Sequence, residues 1–450
     1  MKQITIDIET ASDENIKDCG VYRYAESECF DLLLVSYAVD NGPVATCDIA
    51  NGETLPDDVR NALTDKTVIK KAFHVNFERI CLSVYLRRKY PEMLDFKDST
   101  GSYLDPVSWQ CDMIHCRYLG MLSSLDDMGR LLRLKEKKMA EGKELIRFFC
   151  TLHQEADGSI LFHDKSDAPK KWEKFKAYNR RDVEVELKIQ RYLSEFPVPE
   201  FVWEEFYIDQ EINDRGILVD TSFAKKAVEL DGQVKKALLP KLKELAGLDN
   251  PNSPVQMKEW LMCRGIETDT LDKKFMQKIS GSAPEEVQEV LRLYQQLSRS
   301  SVQKYTTMLR VVCADGRARG MFSFYGANRT GRFAGRLIQL QNLPQNHLDD
   351  LAELKEQIRT GEFDTIKENY DDVPDVLSQL IRTAFIPPEG KKYVVADFSA
   401  IEARVLAWLA DEKWRMQAFA NGEDIYCASA SKMFGVPAVS YTHLTLPTIA

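Results

Sequence analysis

The chain has 450 residues, 44% of them hydrophobic and 29% charged, with a formal net charge of −10. That is an ordinary soluble globular composition with room for two or three domains, and the acidic balance excludes a generally sticky nucleic-acid coat while allowing a local basic groove. No apolar run approaches the roughly 18 residues of a membrane span. The opening "MKQITIDIET" lacks a signal peptide's apolar core and cleavage site, and ten scattered cysteines without a C-x-x-C pair read as reduced cytoplasmic thiols.

In chain order, "QITIDIE", "DLLLVSYAV", "VATCDIA" and "TVIKKAF" read as strands and "FERICLSVYLRRKY" as a helix. Helical patterns follow at "SLDDMGRLLRL", "AEGKELIRFFC" and "WEKFKAYNRRDVEVELKIQRYL", giving an α/β domain with a mixed sheet. "EFPVPEF" marks a boundary near residue 198. Residues 201–309 are mostly helical, with Asn252 and Ser253 followed by Pro254 as a helix start and 283–312 as one long helix or a close pair. From Arg299 to Arg336, eight Lys/Arg (299, 304, 310, 317, 319, 329, 332, 336) stand against one acid, Asp315. The acidic helical stretch 347–380 comes next, so the basic island reads as a nucleic-acid track with phosphate-repelling flanks rather than a solvated helix face. "YVVA", 393–396, reads as a buried strand ending at Asp397.

Asp7 and Glu9 in "TIDIET" are two apart on a strand and share a face, with Ile6 and Ile8 on the other. Two acids there are costly unless cations lie between them. "KAYNRRDVEVELKI" puts Tyr178 and Asp182 four apart on one helix face, and Glu78 follows the fourth strand, where a helix N-terminal acid is the plain alternative. Asp7, Glu9, Glu78, Tyr178 and Asp182 together resemble the tyrosine-containing subtype of the acidic-tetrad 3′–5′ exonucleases over residues 1–195. The resemblance implies a ribonuclease H-like fold and two-metal hydrolysis of a terminal phosphodiester by Mg²⁺ or Mn²⁺, two ions per site. Asp7, Glu9 and Asp182 would hold the first ion, and Asp7 would bridge to the second. Two positions depart from the family pattern: Glu78 stands for its aspartate, and His74 falls where its asparagine stands.

"GANRTGRFAGRLIQLQNLPQN" gathers Thr330, Arg332, Arg336, Gln341 and Asn342 among glycines that let a backbone approach a strand closely. With "YIDQEINDRGILVD", "IRTAFIPPEGKKYVVADFSAIEARVLAWLA" and "GEDIYCASASKMFG", it resembles family A DNA polymerases of the DNA polymerase I type over residues 201–437. The resemblance implies Asp397 as a catalytic metal ligand, Glu402 as a steric gate selecting deoxynucleotides, and Arg404 as its charge partner. Arg332 would read the primer end, with Thr330, Arg336, Gln341 and Asn342 also on DNA. The implied layout is an exonuclease domain at 1–198, a mainly helical thumb and primer-template segment at 199–346, the acidic insert at 347–380 and the start of an α+β palm at 381–437. Expected partners are a DNA primer-template, a single-stranded 3′ end and dNTPs, in the cytoplasm of a phage's host. Neither a fingers helix nor a later H-D-E motif occurs, and "AVSYTHLTLPTIA", 438–450, reads as a non-native tail. The expectation is therefore a truncated polymerase in which only the exonuclease site is complete. The alternatives are a stand-alone exonuclease and a non-catalytic DNA-binding protein.

Overall fold

The computed structural model describes residues 1–93, 103–135, 139, 141–154, 160–279, 282–327 and 330–435, and they fall into two compact units, 1–387 and 388–450. The expected tail at 438–450 and Arg329 of the basic island lie outside the described residues.

The first unit is built on a five-stranded mixed sheet. Its strands are β1 (Gln3–Ala11), β2 (Asp31–Val39), β3 (Ala45–Asp48), β4 (Ile69–Ala72) and β5 (Trp109–Cys111), in spatial order β3-β2-β1-β4-β5. β1 is central, antiparallel to β2 and parallel to β4. Its alternation divides its side chains between two faces. Ile4, Ile6 and Ile8, each at most 3% exposed, join the core that includes the helix Val75–Lys89. Thr5 and Asp7 bond instead to the helix Pro169–Leu193, whose Trp172 and Phe175 pack with Ala11 and Leu33. The four expected strands are all present. β5 has three residues, too few for a hydrophobic period to register.

The prolines at 197 and 199 separate two helices but not two cores. The helix Glu200–Arg215 places Val202, Trp203 and Phe206 in the same core as β1. Inside it, Arg79 makes a buried, two-pronged pair with Asp214, at 2.9 Å from Nη1 to Oδ2 and 2.7 Å from Nη2 to Oδ1, and Tyr22 donates to the same carboxylate. The following region is mainly helical. Ser253 caps Pro254–Met262, and the 283–312 stretch is a pair, Glu285–Ser298 and Gln303–Val311, joined by a 3₁₀ turn. The helices Leu351–Thr360, Phe363–Asn369 and Val373–Leu380 of the acidic stretch pack on Thr221–Ala246 through Leu354, Ile358, Ile366 and Leu377.

The basic island differs from its expectation. Arg299 is clamped by Asp372 and Asp375, two acids of the supposed repelling flank. Arg319, 6% exposed, is held by Asp315 and the Asp214 carbonyl; Arg317 reaches the Arg215 and Gly216 carbonyls and Lys304 the Ile338 carbonyl. Half of the island thus ties the fold together, because partly buried cations need acceptors. Arg310, Arg332 and Arg336 remain exposed.

The second unit carries the helices Ile401–Leu409, Lys413–Ala420 and Ile425–Phe434. The expected buried strand at 393–396 is not formed: the segment is irregular and exposed, Val394 by 86% and Val395 by 91%. Apolar residues with β-propensity become a buried strand only beside a partner strand and under a covering layer. The described residues of this unit supply neither.

Candidate active site

The nuclease acids come together as two facing ladders. Thr5, Asp7 and Glu9 line one face of β1, and Tyr178, Asp182, Glu186 and Gln190 line a stripe of the helix Pro169–Leu193 at four-residue spacing. Thr5 Oγ1 donates to Gln190 Oε1 at 3.0 Å, and Asn179 Nδ2 donates to Asp7 Oδ2 at 2.6 Å, fixing the register. Glu78 enters from the first turn of Val75–Lys89. Glu9, Glu78, Tyr178 and Asp182 are all buried; Asp7 is half-buried.

The electrostatics register this crowding. Burial, then the Asp7 charge, raises the Glu78 carboxyl far above its ordinary range. One of its oxygens, Oε2, is buried with no hydrogen-bond partner among the described residues. Burial followed by the charges of Glu9, Asp182 and Asp7 pushes the Tyr178 phenol up, so it stays protonated and donates toward Asp182. Glu186 is raised by burial and then by Asp112, with which it shares a hydrogen bond; Asp7 and Glu78 add to it. Gln190 Nε2 bridges both, at 2.6 Å to Asp112 and 3.2 Å to Glu186.

Among the described residues no three His, Cys, Asp or Glu side chains converge as a ready-made metal cage. The donor set nevertheless fits divalent ions. It consists of hard carboxylate oxygens, the kind Mg²⁺ and Mn²⁺ take, and the mutual repulsion and the unpartnered Glu78 oxygen both suit a cation among them.

Asn179, Asp112 and Glu186 escaped the sequence reading. The stripe that pairs Tyr178 with Asp182 continues to Glu186 and Gln190 at the same spacing, which was the available signal. His74 precedes Val75–Lys89 at its N-cap without capping it through its side chain. Burial, then the charges of Arg336 and Arg117, lowers its imidazole to about 4, so it is neutral near pH 7.

The second constellation lies on the hairpin Phe322–Ala327/Arg332–Gly335 and the segment after it, where Thr330, Arg332, Arg336, Gln341 and Asn342 are all exposed. Its glycines serve the hairpin itself. A Cβ on Gly326 would lie 2.8 Å from the Ser323 carbonyl, one on Gly335 would collide with Gln341 Oε1, and Gly331 turns at φ +65°. Asn342 Nδ2 donates to Gln339 Oε1.

In the other unit, Asp397 is exposed and makes no hydrogen bond or ion pair among the described residues. Glu402 is exposed in the first turn of Ile401–Leu409. Arg404 donates from Nε to the Ser399 carbonyl at 2.8 Å, with its guanidinium 4.3 Å from the Phe419 ring centre. No described helix is long and apolar enough to cross a membrane.

Comparison with known proteins bears on the whole chain. The model for DNA polymerase family A matches residues 221–445. A DNA polymerase of Bacillus phage SP02 is 43% identical over 98% of this chain and 66% of its own length. DNA polymerase I of Borreliella burgdorferi is 27% identical over 50% of the chain and 22% of its own length. The chain thus spans less than two thirds of either relative. Among solved structures, the POL domain of Pol1 from M. smegmatis, in complex with DNA primer-template and dNTP, superposes with a TM-score of 0.56 at 18% identity. That match covers 97% of this chain and 65% of the other, and shows a shared fold. With half of its residues matched by the family model and a phage polymerase similar along nearly all of it, the chain belongs to DNA polymerase family A.

Proposed function

We propose that the protein serves phage replication as a DNA-directed DNA polymerase with a 3′–5′ proofreading exonuclease, acting on a primer-template, its single-stranded 3′ end and dNTPs in the host cytoplasm. Residues 1–198 form a ribonuclease H-like nuclease domain in this reading, 199–346 the thumb and primer-template segment, 347–380 an insert and 381–437 the start of the palm. The observation that carries the nuclease assignment is the pair of facing ladders, β1 with Asp7 and Glu9 against the stripe of Tyr178 and Asp182.

Asp7, Glu9, Glu78 and Asp182 would hold two Mg²⁺ or Mn²⁺ ions, which supply Lewis-acid stabilisation of the phosphate and a more acidic water. Asn179 holds the Asp7 carboxylate in one orientation. Tyr178, kept protonated, orients the water's approach through its hydroxyl. Glu78 differs from an aspartate by one methylene and is buried, with its Oε2 left for an ion. On the polymerase side, Thr330, Arg332, Arg336, Gln341 and Asn342 present an exposed polar surface to a primer-template. Asp397 would hold a metal, Glu402 would select the sugar and Arg404 would support that segment.

The test is degradation of a 5′-labelled single-stranded oligonucleotide with Mg²⁺ or Mn²⁺. Asp7→Ala and Asp182→Ala should each lower the rate by about a hundredfold to a thousandfold with no loss of thermal stability. Retention of wild-type rates by both variants would overturn the nuclease reading. Hydrolysis without primer extension is expected from this chain, because Asp397 stands exposed on an unpaired segment.

A further inference from the structure

We propose that Arg117 and Arg336 together form a binding site for one backbone phosphate of a single DNA strand passing between the glycine-rich hairpin and the acidic cluster. This inference rests on the nuclease reading above and adds to it the path by which an end arrives.

Arg117 lies on the helix Asp112–Tyr118, directly after β5. Its Nη1 donates to Ser323 Oγ at 3.0 Å and to the Phe324 carbonyl at 3.4 Å, so it grips the hairpin's first strand. On the second strand Phe322 pairs with Gly335 and Ser323 with Ala334, and the Arg336 amide donates to the Met321 carbonyl at 2.8 Å. The root of Arg336 is therefore fixed two rungs from Ser323, the nearer of the residues that Arg117 holds. Two further links keep the elements together: Tyr118 and Tyr325 have ring centres 5.8 Å apart, and Asn213 exchanges bonds with the Phe322 backbone.

No carboxylate answers these two charges. Neither Arg117 nor Arg336 makes an ion pair among the described residues, whereas Arg299 and Arg319 of the same basic island are each held by aspartates. Burial and then the charges of Arg336 and Arg117 lower the basicity of His74, and burial together with the Arg336 charge lowers that of Arg117, in keeping with the backbone placement just described. Two like charges held together are costly until an anion sits between them, and a guanidinium fork matches a phosphate's oxygens. Arg117 Nε is buried without a partner among the described residues.

The location gives the site its strand. His74 precedes the helix that carries Glu78 four residues on, about one 5.4 Å turn along the axis. Glu9, Glu78 and Asp182 are each less than 10% exposed. One separated strand is a narrower body than a duplex and suits carboxylates so little exposed.

The experiment is fluorescence anisotropy of the full chain with a labelled oligothymidylate in EDTA, titrated with salt. Arg336→Gln should weaken binding several-fold and reduce the slope of log K against log salt by about 0.7, one single-strand phosphate contact. Arg117→Gln should do the same, and the double variant should lose less than the two losses combined, because both act on one phosphate. Arg359→Gln, an exposed arginine of the acidic helices, is the control. If Arg117→Gln lowers the unfolding midpoint, the Arg336→Gln result decides alone. An unchanged slope in Arg336→Gln, or an effect confined to duplex primer-template, overturns the proposal. Wild-type protein that binds no single strand defeats the nuclease reading instead, which separates the two failures.

Discussion

Two groups of acids in this chain have the same residue chemistry and opposite surroundings. Asp7, Glu9, Glu78 and Asp182 sit between a central strand and a 25-residue helix, deep enough for each to feel the others. Asp397 sits on an irregular exposed segment of a separate unit, with Val394 and Val395 open to solvent beside it. A carboxylate becomes functional machinery when scaffold and burial force it against other charges. Asp397 has no such neighbours among the described residues.

That contrast can be broken most directly at its scaffold. Asp214→Ala removes the partner of the fully buried Arg79, next in sequence to Glu78, and should cost about 3–5 kcal/mol. Chemical denaturation should show it as a lower midpoint; a change under 1 kcal/mol would mean the joint does not hold the acids in place.

A second prediction concerns pH. Asp209, 1% exposed, has its carboxyl raised to about 7 by burial, against the opposing bonds from Gln210 and Asn213. Since the folded value exceeds the unfolded one, the folded state holds the extra proton. Stability is therefore fully present below about pH 4, falls as pH rises toward 7 and is level above it. The full span is about 4 kcal/mol by linkage, and Asp209→Asn should flatten the profile between about pH 4 and 7. An unaltered profile would exclude Asp209 as its source.

Smaller effects sharpen the comparison. A Cβ on Gly142 would lie 2.8 Å from Tyr178 Cδ2 and closer still to Cε2. Gly142→Ala should cost about 1–3 kcal/mol by overpacking and lower kcat for strand hydrolysis more than it alters KM. Equal stability with unchanged kcat would show that the ring's position is not limiting. Asp397→Ala, last, should change stability by no more than about 0.5 kcal/mol. A larger loss would mean that Asp397 is engaged in solution in a way its exposed position does not suggest.

Much of the first unit was legible because its signals are periodic. Ile4, Ile6 and Ile8 alternating with Thr5, Asp7 and Glu9 define both faces of β1, and the stripe from Tyr178 to Gln190 defines one face of its helix. Arg79 and Asp214 are 135 residues apart, so no local pattern could join them. The basic island misled because charge along a sequence does not say which cations are already answered. Arg299 and Arg319 are held by carboxylates, and Arg117, outside the island altogether, bonds to the hairpin that leads into Arg336.

The sequence alone determined the local grammar: strand alternation, helix stripes, the Ser253 cap and the motifs that carry the family resemblance. Each depends on residues within one or two turns of each other, where backbone geometry fixes who faces whom. Only the tertiary structure decided which charges are spent on the fold and which are left for a ligand. It also decided that "YVVA" is not a strand in this unit. Both outcomes turn on partners distant in sequence, since burial and ladder bonding belong to the neighbours a segment acquires as much as to the segment itself.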